Sequence, residues 1–155
     1  MLCFRITHKD FSRGLIAPGL PGRWNGSGKK VIYCAESVAL ALLENMVRRQ
    51  GVGFNNDFRI MVIDIPDSLK VTTIREESLV SGWRDFRHYG LCQPLGNTWY
   101  ELGKTPLLKV PSAVLPQSFN YVINAEHPDF KKIKLVNVVP LIPDERIEAI
   151  LRKKS

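Results

Sequence analysis

The chain reads as an α+β protein built on a mixed, mostly antiparallel sheet with flanking helices. Three observations predict this. Short apolar runs rich in β-branched residues recur along the chain. One clear amphipathic helix follows the second of them, and the runs then continue without alternating with helices. Strict strand–helix alternation would instead predict a doubly wound parallel sheet. Residues 2–7 form the opening strand. Residues 13–30 make a long Gly/Pro loop, a length that inside a compact domain marks function or mobility. Residues 31–34 form a short buried strand. A helix over 37–50 ends at Gly51, with Arg48 and Arg49 complementing its dipole. Ala39, Leu42, Leu43 and Met46 recur at helical spacing and predict its core stripe, which leaves Glu44 on the flank with Leu40, Ala41 and Val47. Residues 58–65 form a strand stopped by Pro66. Short helices are expected around 84–89 and 97–103, separated by Gly90 and Pro94. Residues 107–110, 120–124 and 133–139 bring the set to about six strands.

At 155 residues the chain fits one domain, 1–155, able to bury about 70% of its unfolded surface. Its 45% apolar and 24% charged content is ordinary for a globular protein. No basic stretch followed by an apolar core opens the sequence, so no signal peptide is expected and the predicted location is cytoplasmic. The longest clean apolar run, 38–43, is far short of the roughly 20 residues of a membrane span. Cys3, Cys34 and Cys92 are widely spaced, with no CxxC pair, which favours reduced thiols. With His8, His88 and His127 they make no metal-ligand spacing, so no metal is expected. Cys34, in an apolar strand, reads as an inert thiol. No G-x-G-x-x-G, Walker loop or G-x-S-x-G occurs. The net charge of +7 invites nucleic acid, an anionic substrate or an acidic partner. Much of it sits at Lys131, Lys132, Lys134 and 152–154. A basic nucleic-acid binder or ribonuclease is therefore the rival reading, although no aromatic-interleaved basic motif supports it.

Three residues carry the chemical signal. Arg23 lies in Gly22-Arg23-Trp24-Asn25-Gly26-Ser27-Gly28, too glycine-rich for helix or strand interior. Its planar fork suits phosphate, and its alternative is a loop arginine stacked on Trp24. Tyr33, in the buried strand, could stack on an aromatic ring or cap a sugar, or simply fill the core. Glu44 is a carboxylate in an apolar helix, or else a solvent-facing partner of Arg48 one turn on. Guanidinium, aromatic and carboxylate together suit a ligand with phosphate, ring and sugar, a dinucleotide such as NAD.

The order of motifs resembles the RES domain, the toxin of RES–Xre toxin–antitoxin pairs. The opening half is Gly22-Arg23-Trp24-Asn25, Tyr33, Glu36-Ser37 and Ala39-Leu40-Ala41-Leu42-Leu43-Glu44. The closing half is Gly82-Trp83, Gln93, Gly96, Trp99, Leu108-Lys109-Val110-Pro111-Ser112-Ala113-Val114 and Asn120-Tyr121-Val122-Ile123-Asn124. The likeness spans roughly residues 3–147. It implies an ADP-ribosyltransferase-like fold that consumes NAD as a substrate rather than a cofactor, passing ADP-ribose to water, phosphate or a protein. It also implies a cognate Xre-type helix-turn-helix antitoxin that blocks the active site and alone contacts DNA.

The leaving nicotinamide departs neutral, so one carboxylate can serve where ordinary glycoside hydrolysis uses two. Glu44 is the candidate stabiliser of the ribose cation. Arg23, Tyr33 and Ser112 complete the expected catalytic set, and Arg23, Tyr33, Arg5 and Asn25 the substrate-binding set. Ser112 reads as a ligand to the nicotinamide amide, a positioner of Glu44 or a turn serine; Arg5 reads as a cleft residue or a surface strand residue. Two departures are visible. The family's Asn-Pro-x-His-Pro stands here as Asn124-Ala125-Glu126-His127-Pro128, and its Asp-Pro-Arg-Leu as Asp144-Glu145-Arg146-Ile147.

Overall fold

A computed structural model describes residues 1–49 and 54–152. The expected helix end at Gln50 and Gly51, and Lys153 and Lys154 of the basic tail, lie outside the described residues. The strands are β1 (Leu2–His8), β2 (Val31–Ala35), β3 (Phe58–Asp64), β4 (Val71–Thr73), β5 (Leu107–Pro111), β6 (Phe119–Asn124) and β7 (Lys134–Pro140). They form one sheet in the order β4-β5-β6-β2-β1-β3-β7, antiparallel throughout except for the β4–β5 pair. The helices are α1 (Val38–Arg49), α2 (Gln93–Leu102) and α3 (Glu145–Arg152). This is the mixed α+β architecture the strand order predicts.

Alternation along the strands divides the core. Ile32 and Cys34 of β2, Met61 and Ile63 of β3, Leu107 of β5 and Tyr121 and Ile123 of β6 pack on one face of the sheet. The opposite face carries two clusters. Over β5 and β6 lie Trp24, Trp83, Cys92 and Trp99, packed on Leu108, Val110 and Val122. Over β1 and β3 lie Leu40 and Ala41 of α1 and Leu151 of α3, packed on Ile6 and Ala35. The seam between the two clusters runs over β2.

That seam coincides with a split in the sheet. β1 pairs with β3 along its whole length, Leu2↔Asp64 through His8↔Phe58. With β2 it shares a single register pair, Phe4↔Ala35. Beyond it the two strands part, and the carbonyl of Ile6 accepts a hydrogen bond from Asn45 Nδ2 of α1 instead, at 3.2 Å.

Several expectations are corrected. The apolar stripe of α1 is only half as expected: Leu42 and Met46 pack against the core, but Ala39 and Leu43 are exposed, and the fully buried positions are Leu40 and Ala41. At 100° per residue, Glu44 falls between Leu40 and Ala41 on the face toward the sheet. No helix forms over 84–89; that stretch is turns, followed by a short 3-10 turn at Tyr89–Leu91. α2 begins at Gln93, because Pro94 sits in its first turn, where its missing N–H costs nothing. β4 and α3 were missed. Strand β4 has only three residues, too few for an alternation to register.

Both departures from the family pattern close their loops by other means. Asp144 caps α3 through the Arg146 N–H at 2.8 Å, with Glu145 in the first helical position where the family has proline. His127 Nδ1 accepts from the Asp129 N–H at 3.0 Å, and Asn124 Oδ1 from the Glu126 N–H at 2.9 Å.

Gly96 is where α2 meets the long loop. A Cβ there would lie 1.7 Å from the carbonyl oxygen of Trp24, so the helix and the loop backbone touch directly. Gly96→Ala should therefore lower stability by about 1–3 kcal/mol through overpacking, although helix propensity alone would favour alanine by about 1 kcal/mol. A depressed thermal midpoint checks this, with Gly14→Ala as the control, since nothing lies within 4 Å of a Cβ at Gly14.

Candidate active site

Residues 13–30 form no helix and no long strand, yet the loop is held at many points. Gly22 and Asn25 pair across a turn through Gly22 N–H to Asn25 O at 3.0 Å and Asn25 N–H to Gly22 O at 3.4 Å. The Asn25 side chain, 1% exposed, donates to the carbonyls of Leu20, Gly26 and Lys29 at 2.9, 3.2 and 3.3 Å. Its Oδ1 accepts the Tyr33 hydroxyl at 2.6 Å, and that hydroxyl accepts the Trp24 N–H at 3.0 Å. Helix α2 staples the loop from outside, with Gln93 Nε2 donating to Gly22 O at 2.8 Å and Asn97 Oδ1 accepting Gly26 N–H at 2.8 Å. Gly22 has no room for a side chain: a Cβ would stand 2.8 Å from the Tyr33 hydroxyl.

These bonds sort the expected residues by what remains open to a ligand. Asn25 uses its whole carboxamide inside the loop and reaches the site only through Tyr33. Tyr33 has its proton committed to Asn25, so its ring is the part left to contact a ligand. Burial holds the Tyr33 phenol well above the ordinary tyrosine value, and it stays a neutral donor.

Arg23 reaches across to the turns after residue 82. Its Nη1 donates to the carbonyl of Trp83, its Nη2 to that of Arg84 at 3.2 Å, and a long 3.5 Å contact runs to Asp85. The guanidinium lies 5.0 Å over the Tyr89 ring, not on Trp24. Three carbonyls and a ring hold it, and no carboxylate among the described residues pairs with it. Arg84 carries the chain of contacts onward, its Nε donating to Ala113 O at 2.8 Å.

Glu44 is the centre. Its Oε1 accepts the Ser112 hydroxyl at 2.7 Å and the Asn120 amide at 2.6 Å. Ser112 is fully buried at the start of the β5–β6 hairpin. Its Oγ accepts the N–H groups of Val114 and Leu115, both at 3.1 Å, so its own proton is directed at Glu44. Asn120 stands opposite Ala35 on β2 and Val110 on β5. Alternation puts it on the same sheet face as Tyr33 and Val122. One carboxylate oxygen thus has two donors, and the other, Oε2, has no hydrogen bond among the described residues. The alternative, a pair with Arg48, does not form among the described residues.

Asn120 was absent from the expected site. The signal was present, since a polar residue two positions before Val122 on a mostly apolar strand shares the inward face.

Arg5 lies on the part of β1 that has left β2. Burial first, and the like charge of Arg48 second, hold its guanidinium below the ordinary arginine value. A hydrogen bond to the Cys3 sulfur first, and burial second, push the Cys34 thiol well up. Among the described residues no three His, Cys, Asp or Glu side chains gather as they would to hold a metal.

Tyr33→Phe keeps the ring and removes the hydroxyl, stranding the buried Asn25 Oδ1 and the Trp24 N–H. It should cost about 1–3 kcal/mol of stability, read by chemical denaturation. The pH dependence has a definite sign. Because the folded-state pKa is raised, this tyrosine costs nothing below the unfolded value of about 10. Above it the unfolded chain loses the proton and the folded one does not, so stability falls as pH rises. Tyr33→Phe should remove that part of the alkaline loss.

Comparison with known proteins places the chain in a family. The chain is 35% identical over 130 residues, 81% of its length and 80% of the relative's, to a protein of Sphingobium sp. named a Prs ADP-ribosylating toxin. It is 31% identical over 149 residues, 95% and 99% of the two lengths, to Toxin Res of Pseudomonas putida. Among solved structures it matches a chain of the M. tuberculosis MbcT-MbcA toxin–antitoxin complex with a TM-score of 0.70 at 20% identity, covering 98% of this chain and 88% of that one. The model of the RES domain matches residues 2–147, and the chain belongs to that family.

Proposed function

We propose that this chain is the toxin of a toxin–antitoxin pair and that it cleaves the bond between nicotinamide and ribose in NAD. The observation that carries the reading is the Glu44 carboxylate, with Oε1 held by Ser112 and Asn120 and no hydrogen bond on Oε2 among the described residues. The names of its relatives, one an ADP-ribosylating toxin and one Toxin Res, support it.

The chemistry follows from that arrangement. As the nicotinamide leaves, positive charge develops on the ribose. Oε2 accepts a ribose hydroxyl and faces that charge, while Ser112 and Asn120 keep the carboxylate from turning away. Both donors are fixed before the reaction, so little reorganisation is needed as the charge appears. The nicotinamide ring rests on the Tyr33 ring, and Arg5 meets the diphosphate. Arg23 contributes by tying the turns after residue 82 to the 22–25 turn, and by a positive charge that no carboxylate cancels. NAD is a substrate here, and ADP-ribose passes to water, phosphate or a protein. An Xre-type helix-turn-helix antitoxin is the proposed partner, the only member of the pair to touch DNA, and the NAD pool attacked is that of the cytoplasm. The structural neighbour being half of a toxin–antitoxin complex agrees with such a partner.

Purified protein incubated with NAD should release free nicotinamide. Glu44→Gln keeps an oxygen for Ser112 and Asn120 but removes the charge, and the rate should fall by about 10²–10³-fold. Persistence of NAD with the wild type, even with cell extract present as a source of acceptors, would reject the reading. Ser112→Ala and Asn120→Ala should each slow release by roughly tenfold. Because both act through one oxygen, the double variant should lose less than the product of the two.

A further inference from the structure

We infer that Arg48 is a substrate-binding residue, which closes with Arg5 on the diphosphate one helical turn away from Glu44. The inference rests on the reading of Glu44 as the ribose-facing group and extends it along the site.

The placement comes from α1. Residue 48 follows residue 44 by one turn, about 6 Å along the helix and on nearly the same side. Asn45, between them on the helix surface, donates to the carbonyl of Ile6, which seats this turn of α1 over β1 next to Arg5. That stretch of β1 is the one that has parted from β2. Arg5 stands opposite Met61 of β3, on the sheet face away from α1, and the like charge of Arg48 reaches it through the gap where β1 has parted from β2.

Neither guanidinium forms a hydrogen bond or an ion pair among the described residues. The neighbouring Arg49 contrasts with them: its Nε donates to Asn45 Oδ1 at 2.6 Å, and its guanidinium lies 3.6 Å from the centre of the Phe58 ring. Two like charges across one gap, one of them half-buried, raise each other's cost. An anion placed between them reverses that sign, and arginine forks match phosphate oxygens two at a time. Arg23, the phosphate ligand expected from the sequence, has most of its donors on the carbonyls of residues 83–85. With the ribose at Glu44, the diphosphate lies one turn along α1, where Arg48 stands.

Titration calorimetry with inorganic pyrophosphate tests this, on wild type, Arg48→Gln and Lys131→Gln as a surface control. Arg48 is exposed, so its replacement leaves the fold intact. Pyrophosphate affinity should weaken by about tenfold or more in Arg48→Gln and stay unchanged in Lys131→Gln. In parallel, KM for NAD should rise by a similar factor with kcat held, while cleavage of nicotinamide riboside, which has no diphosphate, should not change. Equal pyrophosphate binding by wild type and Arg48→Gln overturns the inference, whether or not NAD is cleaved. Arg48-dependent pyrophosphate binding in a protein that leaves NAD intact would uphold the anion site and reject the NAD reading.

Discussion

A single oxygen atom, Oε1 of Glu44, joins the parts of this molecule that make the site. It belongs to α1, and its two donors come from the entrance to the β5–β6 hairpin and from β6 itself. The helix packs over β1 and β2, and the hairpin lies toward the other end of the sheet. One carboxylate thus bridges the two half-cores at their seam. A helix with this rotation cannot bury a continuous apolar face, because Glu44, Asn45 and Arg48 occupy the side toward the sheet. Its tertiary binding is correspondingly polar: Ser37 caps its start through the Leu40 N–H, and Asn45 takes the carbonyl that the split sheet leaves open at Ile6.

The second constraint is the contact of backbone on backbone between α2 and the loop. Gly96 lets the helix rest on the Trp24 carbonyl, and Gly22 lets the loop close over the Tyr33 hydroxyl. Between these contacts a stretch without regular structure becomes a rigid wall. Asn25 organises it from inside and Arg23 ties it to the next loop. Rigidity of this kind suits a site whose task is to hold donors in place before charge develops.

Much of this was legible in the chain. The α+β class followed from runs of strands with one helix between them, and the strands from 31–34 and 58–65 onward fell close to where they form. Glu44, Tyr33, Arg23 and Ser112 stood out as chemistry in the wrong place for plain structure. What the residues alone could not give was rotation and reach. Apolar residues lie on both sides of α1, Leu43 and Val47 exposed and Leu40 and Ala41 buried, so periodicity set its stripe only half right. A functional polar face breaks the rule that the apolar side is the buried side. The β1–β2 split is likewise invisible in composition. Arg23 read as a phosphate ligand because of its planar fork; in the fold that fork lies on the carbonyls of Trp83 and Arg84, a reach across the chain that no local pattern announces.

The account turns on how a ligand lies across the seam, and a crystal structure of the wild-type protein with ADP-ribose measures this directly. The account predicts a ribose hydroxyl within hydrogen-bonding distance of Glu44 Oε2, with Oε1 still held by Ser112 and Asn120. It predicts the diphosphate between Arg5 and Arg48, and Arg23 still bound to the carbonyls of residues 83–85. A diphosphate on Arg23 with those carbonyl bonds broken, or a ribose away from Glu44, would contradict it.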